Sequence, residues 1–185
     1  MRITYNAPVT LTYALASTVV LLVDQLTGAG LTERFFAVGG SIDAANPLDY
    51  ITLLTHVLGH ANWTHLVSNF AFILLLGPIL EEKYRSGSLL LMMTVTAFVT
   101  GLLNVLLFST GLLGASGIVF MMILLGSFTN FRRGEIPLTF ILVVMLYLAR
   151  EVITAFQSDT ISQFAHIAGG FCGSLFGFLR PRGSA

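Results

Sequence analysis

The stretch Gly114-Ala115-Ser116-Gly117 sets one hydroxyl between bare backbones inside an otherwise apolar run. The same chain carries His56, His60, His65 and Asn69 in "HVLGHANWTHLVSN", and His166 in "QFAHIAGG". Serine, histidine and a side-chain amide are the residue types that acyl transfer needs. An imidazole beside a serine takes the hydroxyl proton on attack and returns it to the leaving group. Fixed donors must meet the oxyanion that develops. Taken alone, Ser116 reads as ordinary packing, since small residues line membrane helix contacts. His166 alone reads as a buried, hydrogen-bonded ring. The chemistry depends on whether the chain brings these groups to one place.

The elements that would do so are membrane helices. The chain has 185 residues, 55% hydrophobic and 10% charged, against about 25% charged in a soluble domain. Its mean hydropathy is +0.86. These values predict an all-α polytopic membrane protein, a single domain over 1–185. Net charge is zero, so there is no electrostatic case for a nucleic-acid partner. The lone Cys172 lies in an apolar run and reads as a small core filler. Six spans are expected, at 9–25, 64–81, 88–108, 116–130, 136–149 and 162–179. Helix is the expected state, because lipid supplies no partner for unpaired backbone groups. The first span is expected to be retained, with no cleavable leader before it. The connection 26–63 is too apolar for a solvated loop and too broken to span, and it is expected to lie in the interface.

Charge orients the bundle. Arg2, Lys83, Arg85, Arg132, Arg133, Arg180 and Arg182, seven of the nine basic residues, fall on one side. The positive-inside rule makes that side cytoplasmic, with both termini on it. Only Arg34 and Arg150 face the other way. The group Glu81 to Arg85 reads as a cytoplasmic cap.

Depth can then be counted at about 1.5 Å per helical residue. His65 and Asn69 lie 16 and 12 residues from Glu81, or roughly 24 and 18 Å. Ser116 lies 16 residues from Arg132, roughly 24 Å, and His166 lies 14 from Arg180, roughly 21 Å. Three spans thus hold their polar groups at one level near the outer face. His65 and Asn69 share a helix face. His166 shares one with Gly169, Gly173 and Gly177, which admit a neighbouring helix closely. If that neighbour is the fourth span, His166 meets Ser116 beside Gly114 and Gly117. Asn69, a His65 ring N–H and the Ser116 backbone N–H are then the oxyanion donors. Every acidic residue lies at an edge or in a loop, so a dyad rather than a triad is expected. Phe120, one turn below Ser116, is the ring on which His166 would stack. The fourth span is also too short to cross, so the loop ending at Gly114 must dip and start a helix at Ser116 below the surface.

These residues resemble the rhomboid intramembrane serine proteases. The likeness rests on Gly114-Ala115-Ser116-Gly117, on the series His60, His65, Asn69, and on Ala165-His166 with Gly169, in that order in a six-span chain. The resemblance implies a Ser116–His166 dyad, oxyanion stabilisation by His65, Asn69 and the Ser116 backbone, and a six-helix bundle with a partly embedded first loop. It implies lateral entry of transmembrane protein substrates, unwound locally and cut near the outer face, with no cofactor and no metal. Two departures stand out. The family's frequent tryptophan-arginine pair falls on Ile51 and Thr52, and its frequent tyrosine falls on Phe120.

Three other readings compete with this one. A proteolytically inactive rhomboid-like protein that binds membrane clients would generally lack Ser116 and His166. A small transporter or channel would need ionisable residues through the midplane, where these spans are apolar. His56 and His60, at i and i+4, have metal-ligand spacing. No carboxylate accompanies them at depth, and hydrogen bonds that steady the loop are the expected role.

Overall fold

The computed structural model describes residues 3–127, 138–139, 141–142, 145–146 and 160–179. Among them the chain is helical throughout its regular structure. Helix α1 is Pro8–Thr27. In the connection that follows lie α2 (Leu31–Phe35), α3 (Pro47–Thr55) and a 3₁₀ turn (His56–Leu58). Then come α4 (Trp63–Tyr84), α5 (Ser86–Leu107), α6 (Ser116–Ser127) and α7 (Thr160–Leu179). Helices α1, α4 and α5 are long and apolar enough to cross a membrane.

Five of the six expected spans fall on these helices. The fifth, 136–149, lies outside the described residues except for six positions, which are helical. The connection 26–63, expected to be too broken to span, is built from the short helices α2 and α3 and the 3₁₀ turn. Local chemistry explains α3. Asn46 accepts from Leu48 N–H at 3.2 Å and Pro47 occupies the first helical position. The side chains sort by face: Thr52, Leu53 and His56 are buried, whereas Tyr50, Ile51 and Leu54 are exposed. The buried face rests on α5 at Gly101, where an added Cβ would lie 2.8 Å from the Leu53 carbonyl oxygen.

The tightest crossing is α6 on α7, the most extensively packed helix pair among the described residues. A side chain at Gly169 would collide with the Gly117 carbonyl, and one at Gly173 with the Met121 carbonyl. Bare backbone on one helix therefore rides on the carbonyls of the other. Ile118, Met121, Met122, Leu125 and Cys172 fill the core around that crossing. Cys172 is buried there as expected.

Glu81, read from sequence as part of a cytoplasmic cap, has a specific partner. It is buried, and its carboxylate closes the start of α1. Val9 N–H donates to Oε1 at 2.9 Å, and Thr10 N–H to Oε2 at 3.0 Å. The Thr10 hydroxyl donates to Oε2 at 2.9 Å, and Ser86 Oγ to Oε1 at 2.8 Å. Ala7, at the α1 cap position, has no side-chain acceptor of its own. A carboxylate 71 residues away satisfies donors that lipid would leave unpaired. Gly77, one turn before Glu81, leaves room for the Thr10 side chain.

Glu81→Ala is expected to lower the stability of the detergent-solubilised protein by about 2–4 kcal/mol, the scale of buried donors left without a charged acceptor. Glu81→Gln, which keeps an acceptor oxygen, should lose less. A thermal or SDS-titration midpoint unchanged by Glu81→Ala would contradict the cap.

Candidate active site

Asn62 begins the arrangement. Its side chain accepts the His65 N–H at 2.8 Å, starting α4 and setting His65 in the first turn. Asn69 follows one turn later on the same face. It is buried, and its Nδ2 has no hydrogen-bond partner among the described residues. A buried amide with unspent donors is costly unless something comes to accept from it.

The loop between α5 and α6 is tied to the first connection. Val38 N–H donates to Leu112 O at 2.9 Å, and Leu112 N–H returns to Val38 O at 3.0 Å. Gly114 N–H donates to His56 O at 3.0 Å, and Asn104 Nδ2 to Thr110 O at 2.9 Å. Val38, Leu53, Leu112 and Ala165 pack into a small apolar cluster beneath this pairing. Gly114 sits at φ +114°, a conformation that disfavours side chains. A Cβ there would lie 2.6 Å from Cε1 and 2.7 Å from Nε2 of His65. The bare α-carbon of Gly114 is thus the wall against which the His65 imidazole rests. Two residues later Ser116 opens α6, as the count of a short fourth span implies. The backbone N–H groups of a first helical turn lack partners within the helix.

Helix α7 approaches on the other side. A Cβ at Gly117 would lie 3.4 Å from the Ala165 carbonyl oxygen, next to His166. The buried His166 ring lies 4.3 Å from the Phe120 ring, centroid to centroid, tilted by 37°. The family's frequent tyrosine is therefore replaced here by a phenylalanine that still supplies the stacking face. Ser116 and Phe120 are one turn apart on α6, and His166 meets that helix at their level. The structure thus gathers Gly114, Ser116, Gly117, Phe120, His65, His166 and Gly169 around the meeting of α4, α6 and α7, with Asn69 one turn along α4.

His56 and His60 face different partners. His56 Nδ1 lies 3.2 Å from the Thr52 carbonyl, which only accepts, so this nitrogen carries the proton. Its Nε2 lies 3.3 Å from the Thr100 hydroxyl oxygen, whose own proton goes to the Thr96 carbonyl at 2.8 Å. His60 Nδ1 likewise donates to Leu58 O at 3.3 Å. Its ring meets His65 edge-on at 5.1 Å and Phe70 at 5.7 Å. Both rings act as struts of the first connection. Burial pushes the His56 pKa down to about 4, and burial followed by the His65 neighbour does the same for His60. At Ile51 and Thr52, in place of the family's frequent pair, Ile51 is exposed and Thr52 is buried, its carbonyl holding His56. The contribution of the Val38–Leu112 pairing was invisible in sequence, because two backbone groups carry no residue signature.

Neutral His56 and His60 make stability depend on pH. Unfolded, each binds a proton near pH 6.5; folded, each stays neutral to about 4. Stability is therefore at its plateau above about pH 6.5 and falls as pH drops toward 4, by up to about 1.4 kcal/mol per unit for each ring. Thermal midpoints in micelles should decline across that window. Midpoints that stay flat from pH 7 to 4.5 would contradict two neutral buried rings.

The comparisons with known proteins fall on this same region. The Rhomboid domain matches residues 47–183, from α3 to beyond α7. The Rhomboid protease GlpG of Haemophilus influenzae is 22% identical over 129 residues, covering 68% of this chain and 67% of the relative. Rhomboid-like protein 11, chloroplastic, of Arabidopsis thaliana is 24% identical over 171 residues, covering 82% of this chain and 61% of the relative. The domain match covers about three quarters of the chain and takes in Ser116, His166, His65 and Asn69. Apolar helices built around that core and a domain match of this extent lead to one conclusion: the chain belongs to the rhomboid family of membrane proteins.

Proposed function

We propose that this protein is an intramembrane serine endopeptidase with Ser116 as nucleophile and His166 as general base. One observation carries the reading. Ser116 heads α6, and His166 stacks at 4.3 Å on Phe120 one turn away, across a helix crossing that only glycines permit. Family membership supports the same reaction class.

The reaction would run as acyl transfer. Ser116 Oγ attacks the scissile carbonyl carbon while His166 takes the hydroxyl proton. The carbonyl oxygen becomes an oxyanion that accepts from the Ser116 backbone N–H, the Asn69 amide and a His65 ring N–H. Collapse breaks the peptide C–N bond, and His166 returns its proton to the leaving amine. Water then repeats the cycle on the acyl-enzyme. The ring of Phe120 and close packing orient His166, the part an acid plays in a triad.

Substrates in this reading are transmembrane segments of other membrane proteins, entering from the bilayer and opening locally so that a peptide bond reaches Ser116. Six spans with both termini cytoplasmic would open the site toward the outer side. A client-binding protein without proteolysis is the reading that would remain if the chemistry failed.

A fluorophosphonate probe should label the wild type, whereas Ser116→Ala and His166→Ala should abolish labelling. A wild type that stays unlabelled in both micelles and bilayers would overturn the protease reading. Asn69→Ala should raise the barrier by about 1–3 kcal/mol, the scale of one lost oxyanion donor, measured as kcat on a transmembrane peptide. A kcat equal to wild type would remove Asn69 from the site.

A further inference from the structure

The Rhomboid domain match begins at residue 47, so it leaves out α1. The structure nevertheless connects α1 to the donor side of the candidate site through a line of rings. Tyr13, in the second turn of α1, donates its hydroxyl to the Val57 carbonyl at 2.6 Å. Val57 lies in the 3₁₀ turn directly after His56, whose own carbonyl holds Gly114. The Tyr13 ring packs on Phe70 at 5.5 Å. Phe70 packs on His60 at 5.7 Å, and His60 meets His65 edge-on at 5.1 Å. His65 ends the line, resting against Gly114.

Each contact limits the next. His60 is fully buried, and its Nδ1 spends its proton on Leu58 O. Its Nε2 has no hydrogen-bond partner among the described residues. The ring is therefore held by one bond and by the surfaces of Phe70 and His65, not by a second polar partner. Removing the support behind Phe70 would free His60 to turn, and His65 with it. Close packing transmits such displacements because it leaves no slack.

We propose that Tyr13 is a positioning residue for His65, acting from α1 through Val57, Phe70 and His60. The hydroxyl fixes the height of the 3₁₀ turn, and the ring fixes the Phe70–His60 stack. Helix α1 is then part of the device that aims an oxyanion donor and does more than complete the bundle. The kinetic consequence rests on the protease reading; the geometric one does not.

The test uses the full chain labelled with ¹³C and ¹⁵N in its four histidines, in micelles, together with kinetics on a transmembrane peptide. Tyr13→Phe removes only the hydroxyl, and Tyr13→Leu removes the ring as well. Both should shift the ring signals of His60 and His65 and leave those of His166 in place. Leu15→Ala, on the exposed face of α1, should move none of them. Tyr13→Phe should lower kcat roughly three- to tenfold, a fraction of the loss from deleting an oxyanion donor, with KM within about twofold. In a His65→Ala background the same change should have no further effect, since the two act as one unit. His65 signals unmoved by both Tyr13 variants would overturn the proposal, as would an equal kcat loss with His65 absent. If the wild type neither labels nor cleaves, the protease reading fails and the histidine signals alone decide the positioning.

Discussion

Contact between the backbones of α6 and α7 is the constraint from which the rest follows. Gly169 and Gly173 lie so close to the carbonyls of Gly117 and Met121 that no side chain fits. In lipid, helices gain little from the hydrophobic effect and much from close van der Waals approach. The same approach brings His166 to the level of Phe120 and of the first turn of α6. Packing and site are therefore one feature. A larger residue at either glycine would part the helices and move His166 off the Phe120 ring.

The second requirement is a place for the start of α6. A helix that begins inside the bundle needs a loop there whose backbone groups are satisfied within the protein. The first connection supplies those partners. Val38 pairs with Leu112, His56 takes the Gly114 N–H, and α3 lies on α5 at Gly101. Neutral His56 and His60 suit this interior, because an imidazolium buried among apolar groups would be costly. Glu81 solves the corresponding problem at the opposite end of the molecule, where α1 begins with no cap of its own. In both cases backbone donors are met by groups distant in the chain, a side chain or a paired loop.

Much of this was legible in the residues. Continuous apolar runs marked the helices, since the spacing of charges against a fixed bilayer thickness leaves few alternatives. The short run from Ser116 to Arg132 implied that a helix starts at the serine, and α6 does start there. The bare face of α7 announced a close partner. Less legible were α2 and α3, which are short and mixed in composition, α2 packing on α1 and α3, and α3 resting on α5. The partners of Glu81 were not legible, because the donors at the start of α1 lie 71 and 72 residues away in the chain.

The sequence by itself determined the helical class, the membrane setting, the family and the residues able to do chemistry, because periodicity, length and residue type are local properties. Tertiary structure decided which helix meets the bare face of α7, which loop holds Gly114, and which ring backs His65. Those are contacts between residues far apart in the chain. Tyr13 and His65 are separated by 52 positions, and nothing in the intervening residues encodes that one supports the other. Only the packing of α1 on α4 brings them into one line.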